Sequence, residues 1–324
     1  MVLEPFAHRM HAGEVRSQTL WEIGLELAGD PNEPRGGARD LLVEIGSGSG
    51  TAFEHRLSMA TGNGTLAHAV AAGDLDMSVV NPSGMLTQAY RGTGIFPEAL
   101  PVRVVASFPS WDQFVFTFHE RTGLKSLQQL KAERYPLKLS IRTDPNDGTR
   151  TLIDQILAVY DFTVADIESW GGELQTIGSP REKLRMDAIE NGGLDAIFDE
   201  GVQVWLNQAL AGGFKTIDLD EEVFQAIEAI GWRRTTIPAG HYPAMPEEHA
   251  CIDFSGWPIY TRASLDDDLV YKVCAALGAR EDRIPWEAKA YTGLYQLAQD
   301  TPATPRDVPL HPGAERWYKE HGYL

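Results

Sequence analysis

The stretch Gly73-Asp74-Leu75-Asp76-Met77-Ser78-Val79-Val80-Asn81-Pro82-Ser83-Gly84 follows an alanine-rich segment and precedes a polar one. It reads as the glycine stop of a helix over 66–72, a buried strand over 75–80, and a polar loop at the carboxyl end of that strand. The same order of signals returns downstream. A helix over 181–190 stops at Asn191-Gly192-Gly193, a strand runs over 194–198, and Asp199-Glu200-Gly201 follows it. Gly73-Asp74-Leu75-Asp76 against Gly193-Leu194-Asp195 is the visible echo. Two lobes of similar α/β build produce such an echo; so does ordinary glycine capping at two unrelated helix ends.

Working outward, the apolar, β-branched run 102–108 and the alternating run 114–118 predict strands, as does 137–141. A short helix is expected over 127–132. The strand at 137–141 leads into Arg142-Thr143-Asp144-Pro145-Asn146-Asp147-Gly148-Thr149-Arg150, and a longer helix is expected over 151–160. Ligands of open α/β sheets sit at the carboxyl ends of strands, where helix N-termini point. The loop 146–150 holds that position, so its N–H groups, the Thr149 hydroxyl and the Arg150 fork suit a carboxylate. Asp147 or Thr149 as a plain helix cap accounts for the same letters. Toward the N-terminus, a helix is expected over 14–27, a strand over 40–45, a Gly/Ser turn over 46–51 and a return strand over 53–59. The polar loop Thr61-Gly62-Asn63-Gly64-Thr65 comes next.

At 324 residues the chain has room for two domains. A net charge of −18 and a pI near 4.9 argue against a nucleic-acid surface and against docking on an anionic membrane. A small anionic ligand stays open, since one arginine and a few N–H groups hold a carboxylate locally. Residues 1–9 show no basic segment followed by an apolar run, so the expectation is a cytoplasmic protein or one whose leader has been removed. No stretch is apolar enough to span a bilayer. Cys251 and Cys274 are expected as free buried thiols. Residues 46–51 fit neither a dinucleotide fingerprint nor a nucleophile elbow, and there is no phosphate loop. His8 and His11 lack partners at metal-ligand spacing. No metal and no cofactor is expected.

Several pieces of sequence together resemble the TAXI family, the solute-binding subunits of tripartite (TRAP) transporters. These are Asn81 after its Gly-Asp-Leu-Asp strand, Gly123-Leu124-Lys125-Ser126-Leu127, Thr236-Ile237-Pro238-Ala239-Gly240-His241-Tyr242-Pro243, and Leu310-His311-Pro312-Gly313-Ala314-Glu315-Arg316-Trp317-Tyr318. The resemblance runs from about residue 57 to the C-terminus. It implies a two-lobed type 2 periplasmic-binding-protein fold of α/β class, with mixed sheets and a two-strand hinge. Lobe one is expected to hold 1–104 with 243–324, and lobe two 105–242, with the hinge near 105–107 and 236–240. The family begins with a strand, a Gly-rich loop and a helix, whereas a helix comes first here.

The resemblance implies a small carboxylate ligand, such as an amino acid or organic acid, taken between the lobes, and a TRAP-type permease as partner. The candidate ligand-binding residues are Thr61, Asn63, Thr65, Asn81, Ser83, Trp111, Asp147, Thr149, Arg150 and Glu200. Trp111 as a floor of the cleft competes with a core role, and Trp170-Gly171-Gly172 is a further candidate. Two other readings of the same fold are a cytoplasmic ligand sensor and a lyase resembling aromatic-acid decarboxylases. His68, His119 and His241 are the groups the lyase reading would draw on.

Overall fold

Aspartates that hold the start of a parallel strand recur twice in the fold, and they explain the echo in the sequence. The computed structural model describes residues 12–28, 40–46 and 53–324 apart from 288. Asp76 precedes the strand β3 (Met77–Val79), which pairs in parallel with β2 (Phe53–Thr61) in the register Met59↔Met77. The Asp76 carboxylate accepts the Ser58 N–H at 2.8 Å and an Arg262 Nη1–H at 2.8 Å, and its own N–H donates to Ser58 O. Asp195 precedes β8 (Ala196–Asp199), which pairs in parallel with β6 (Lys138–Arg142) in the register Leu139↔Ala196. Its carboxylate accepts the Lys138 N–H at 3.0 Å and the Arg121 Nε–H at 2.9 Å, and its N–H donates to Lys138 O. Each aspartate therefore satisfies a strand-edge donor one residue before the ladder begins, with a guanidinium partner.

The chain falls into two units. One takes the described residues up to Trp111 and from Ser255 on; the other takes Asp112–Phe254. The first unit carries a five-stranded sheet, in the order β1 (Asp40–Gly46), β2, β3, β12 (Trp257–Arg262), β4 (Val102–Phe108). β2 and β3 are parallel and the remaining pairs are antiparallel. Around it lie α1 (Ala12–Ala28), α2 (Leu66–Ala72) and α3 (Ser83–Arg91), and later in the chain α10 (Asp267–Ala279) and α11 (Pro312–Glu320). Helix α1 is fastened to the end of α10 by a buried ion pair, Arg280 Nη2 to Glu22 Oε2 at 2.6 Å. Helix α2 ends where Gly73 turns left-handed, at φ 87°, and its N–H closes on Ala69 O and Val70 O.

The second unit carries β10 (Arg234–Ile237), β11 (His249–Asp253), β5 (Gln113–His119), β8, β6 and β7 (Glu173–Ile177) in that order, with β9 (Phe214–Thr216) also on β5. β6 is parallel to both β7 and β8, and β5 runs antiparallel to β8 and β11. The helices are α4 (Leu127–Glu133), α5 (Gly148–Val159), α6 (Val164–Ser169), α7 (Lys183–Glu190), α8 (Val202–Ala211) and α9 (Glu221–Ile230). Phe116 sits edge-on to Phe198 at 4.6 Å, and Leu139, Ile141, Ile153 and Ile156 are fully buried with them. The α/β class with mixed sheets read from the sequence is what the structure shows. Cys251 and Cys274 are free and buried. Among the described residues, no helix is long and apolar enough to cross a membrane.

Residues 105–107 lie inside β4 of the first sheet, and 236–240 run from the end of β10 into the turn after it. The chain passes between units after Trp111 and after Phe254. Helix α5 begins at Gly148, three residues before the expected 151, because the Asp147 carboxylate accepts the Thr149 N–H at 2.8 Å and starts the turn. β3 is shorter than expected because Asp76 is already engaged side-on. The expected loop over 31–37, most of the Gly/Ser turn over 46–51, His8 and His11, and residues 1–9 lie outside the described residues.

Helix α11 is capped by a fully buried imidazole: His311 Nδ1 accepts the Gly313 N–H at 3.2 Å. Protonating Nδ1 would remove that acceptor. Burial lowers the pKa of His311, although the nearby Asp267 carboxylate opposes the shift. The folded value lies below the unfolded 6.5, so below pH 6.5 the unfolded chain takes up the proton first and stability falls. Urea denaturation at pH 7.5 and 5.5 is expected to show this loss, and His311→Asn, which keeps a capping oxygen, to show less of it.

Candidate functional site

The three parallel strands β6, β7 and β8 end at one edge of the second sheet, and a buried charge cluster occupies those ends. Asp199, fully buried, is the last residue of β8. Its carboxylate accepts Arg142 Nε–H at 2.8 and 3.0 Å, Arg185 Nη1–H, and the Glu200 N–H at 2.9 Å. Arg142, the last residue of β6, also donates from Nη1 to Gly178 O at 3.3 Å and pairs through Nη2 with the Glu200 carboxylate. Every nitrogen of Arg142 thus has an acceptor. Burial works to lower the Arg142 pKa, but the carboxylates of Asp199, Asp147 and Asp112 outweigh it and raise the value. Arg185, from α7, donates from Nε to Ser140 Oγ at 2.9 Å and lies over the Trp205 ring at 5.8 Å. Trp205 Nε1–H in turn donates to Glu200 O at 2.8 Å.

Beside this closed network stand donors that are not used. Thr149 is 1% exposed, and its Oγ1 is buried with no partner among the described residues. Arg150 donates from Nη1 to Arg142 O at 3.1 Å, while its Nε is buried without an acceptor. Arg185 Nη2 is in the same position. A buried donor left unpaired costs about 1–3 kcal/mol, so three on neighbouring elements mark a place where an external acceptor is favoured. Asp147 caps α5, which occupies one of its oxygens.

The first unit brings its candidates to one sheet edge as well. Thr61 ends β2, and Asn63 follows it, its Oδ1 accepting the Thr65 N–H at 3.1 Å. Thr65 itself is exposed. Asn81 follows β3, with Oδ1 buried and unpartnered. Ser83 opens α3 and donates from Oγ to Ser255 O at 3.3 Å. Trp111, half-buried, follows the end of β4, which pairs with β12 from Phe108↔Trp257 on. Glu200 and Asn81 occupy equivalent places. Counting from the aspartate before each strand, both are five residues on, and a helix opens two residues later.

Trp170-Gly171-Gly172 does not join these residues. Gly172 leads into the amino end of β7, at the opposite edge from Arg142, and Trp170 lines a separate surface groove of about 630 Å³ with Lys131, Tyr160 and Phe162. Among the histidines of the lyase reading, His68 is exposed against Phe96 at 5.2 Å. His119 Nδ1 accepts the Arg121 N–H at 3.1 Å, and burial lowers its pKa. His241 is exposed, its ring edge-on to Tyr242 at 4.8 Å.

The profile of the NMT1-like family matches residues 50–322. The chain belongs to the NMT1-like family. It is also similar to solved solute-binding proteins at low identity. Against the glycine betaine/L-proline-binding protein ProX of Borrelia burgdorferi it is 14% identical, over 81% of this chain and 76% of that one, with a TM-score of 0.40. Against the alkanesulfonate-binding protein SsuA of Xanthomonas axonopodis pv. citri, bound to MOPS, it is 14% identical over 79% and 70%, with a TM-score of 0.34. Against lactococcal OpuAC complexed with glycine betaine it is 12% identical over 80% and 82%, with a TM-score of 0.35.

In this NMT1-like chain the sequence reading missed Arg185, Ser140 and Asp112, and noted Arg142 and Asp199 only as loop residues. A charge at the last position of an apolar strand, as at Arg142 and Asp199, was the available signal: strand-end charges beside a buried sheet need a partner. Nothing local marks Arg185. Removing the shared carboxylate with Asp199→Ala strands two buried guanidiniums and is expected to lower the unfolding free energy by about 3–5 kcal/mol in urea denaturation.

Proposed function

We propose that the protein is a receptor for a small polar solute bearing a carboxylate or similar anionic group. The observation that carries this reading is the pair of unused buried donors at the start of α5, Thr149 Oγ1 and Arg150 Nε, next to Arg142, which Asp199, Gly178 and Glu200 already saturate. An anion at that place gains charge-assisted hydrogen bonds from groups the protein leaves unpaired. The register shared by the two units supports a division of labour. Where the second unit has Arg142, Asp199 and Glu200, the first has Gly62, Val80 and Asn81. The second unit then takes the anionic group of a solute. Thr61, Asn63, Thr65, Asn81 and Ser83, with the Trp111 ring, give the first unit a neutral polar edge suited to uncharged polar groups.

The finer reading is that the receptor is of the TAXI type and delivers its solute to a TRAP-type permease. The motifs quoted above at 81, 123–127, 236–243 and 310–318 support it, and they lie within the stretch matched by the family profile.

Arg150→Ala tests the site. A thermal-shift screen of amino acids, dicarboxylates and sulfonates first supplies a binder. Calorimetry is then expected to show its affinity weakened by about 1.5–3 kcal/mol in the variant. Unchanged affinity would place the anion elsewhere.

A further inference from the structure

Asp112 is the first residue of the second unit, and it stands where that unit's polar edge meets both chain crossings. It leads into β5, the strand flanked by β8 and β11. The registers Val115↔Asp199 and Gln113↔Asp253 put the start of β5 beside the ends of both neighbours. Asp112 Oδ1 accepts two N–H groups, that of Gln113 at 2.8 Å and that of Gly201 at 2.9 Å. Its main-chain carbonyl accepts the Phe254 N–H at 3.0 Å. Phe254 is the residue at which the chain leaves this unit. One residue therefore touches the incoming crossing, the outgoing crossing and the turn that carries Glu200.

That turn has little freedom of its own. Gly201 is left-handed, at φ 68°, and a Cβ there would lie 2.6 Å from Pro180 Cγ. Glu200 is held by its carboxylate on Arg142 and by its carbonyl on Trp205. A change in the Arg142–Glu200 pair shifts a turn braced by Pro180 on one side and tied to Asp112 on the other.

We propose that Asp112 is a positioning residue that couples the Glu200–Gly201 turn to the two segments through which the chain passes between units. Its consequence for solute binding rests on the receptor reading above; the coupling itself does not, so its test uses the protein without added solute.

The test is a double-mutant cycle read by hydrogen exchange. Glu200→Gln weakens the pairing with Arg142 while keeping an oxygen acceptor. In the otherwise unaltered protein it is expected to speed exchange about three- to tenfold both at 200–203 and at 252–256. In an Asp112→Ala background the effect at 200–203 persists and that at 252–256 disappears. Asp112→Asn, which keeps the acceptor for Gly201, restores it. If Asp112→Ala does not fold, Asp112→Ser, whose side chain is too short to reach Gly201, takes its place. An effect of Glu200→Gln confined to 200–203, or one that reaches 252–256 equally without the Asp112 carboxylate, overturns the proposal.

Discussion

The carboxylate of Asp199, buried and shared by two guanidiniums, is the constraint on which the polar edge of the second unit depends. An ionised carboxylate without water is tolerable only when paired and fully hydrogen-bonded. Here Arg142, Arg185 and the Glu200 N–H meet that demand. The consequences reach outward. Arg142 is fixed at the end of its strand, Glu200 is drawn onto it, and Arg185 is pressed over Trp205. Because those cations are spent on internal carboxylates, the capacity left for an external anion falls to Thr149, Arg150 and the remaining nitrogen of Arg185. The stability of the edge and its binding chemistry follow from the same pairing.

The first unit shows what the scaffold looks like without that charge. Asp76 and Asp195 perform one task in one register, and each opens a parallel strand that ends in a polar turn and a helix. Past that point the side chains diverge. Val80 stands where Asp199 does, and Gly62 where Arg142 does, so the first unit's edge is neutral: Asn63 bonds within its own loop, while Ser83 donates to the distant Ser255 carbonyl.

Much of the frame was legible because it rests on local rules. Helix α2 with its Gly73 stop and strand β4 follow from periodicity and a left-handed glycine. The start of α5 was displaced by three residues because Gly148 reads as loop, while the carboxylate of the preceding Asp147 supplies the missing acceptor. The charge cluster was largely illegible for a different reason. Arg142 and Asp199 lie 57 positions apart, and Arg185 reaches both Asp199 and Ser140 from a separate helix. Neither spacing nor composition carries such pairings. Thr149 and Arg150 are marked by their place after a strand, but which of their atoms lack partners depends on the tertiary packing around α5.

The central claim is that a small anionic solute engages the polar loops at the sheet edge of the second unit. Amide ¹H–¹⁵N spectra recorded during titration with a binder from the solute screen test it most directly. The expected result is saturable shifts concentrated at 147–150 and 199–201. A solute that binds saturably while 147–150 and 199–201 stay in place would contradict it.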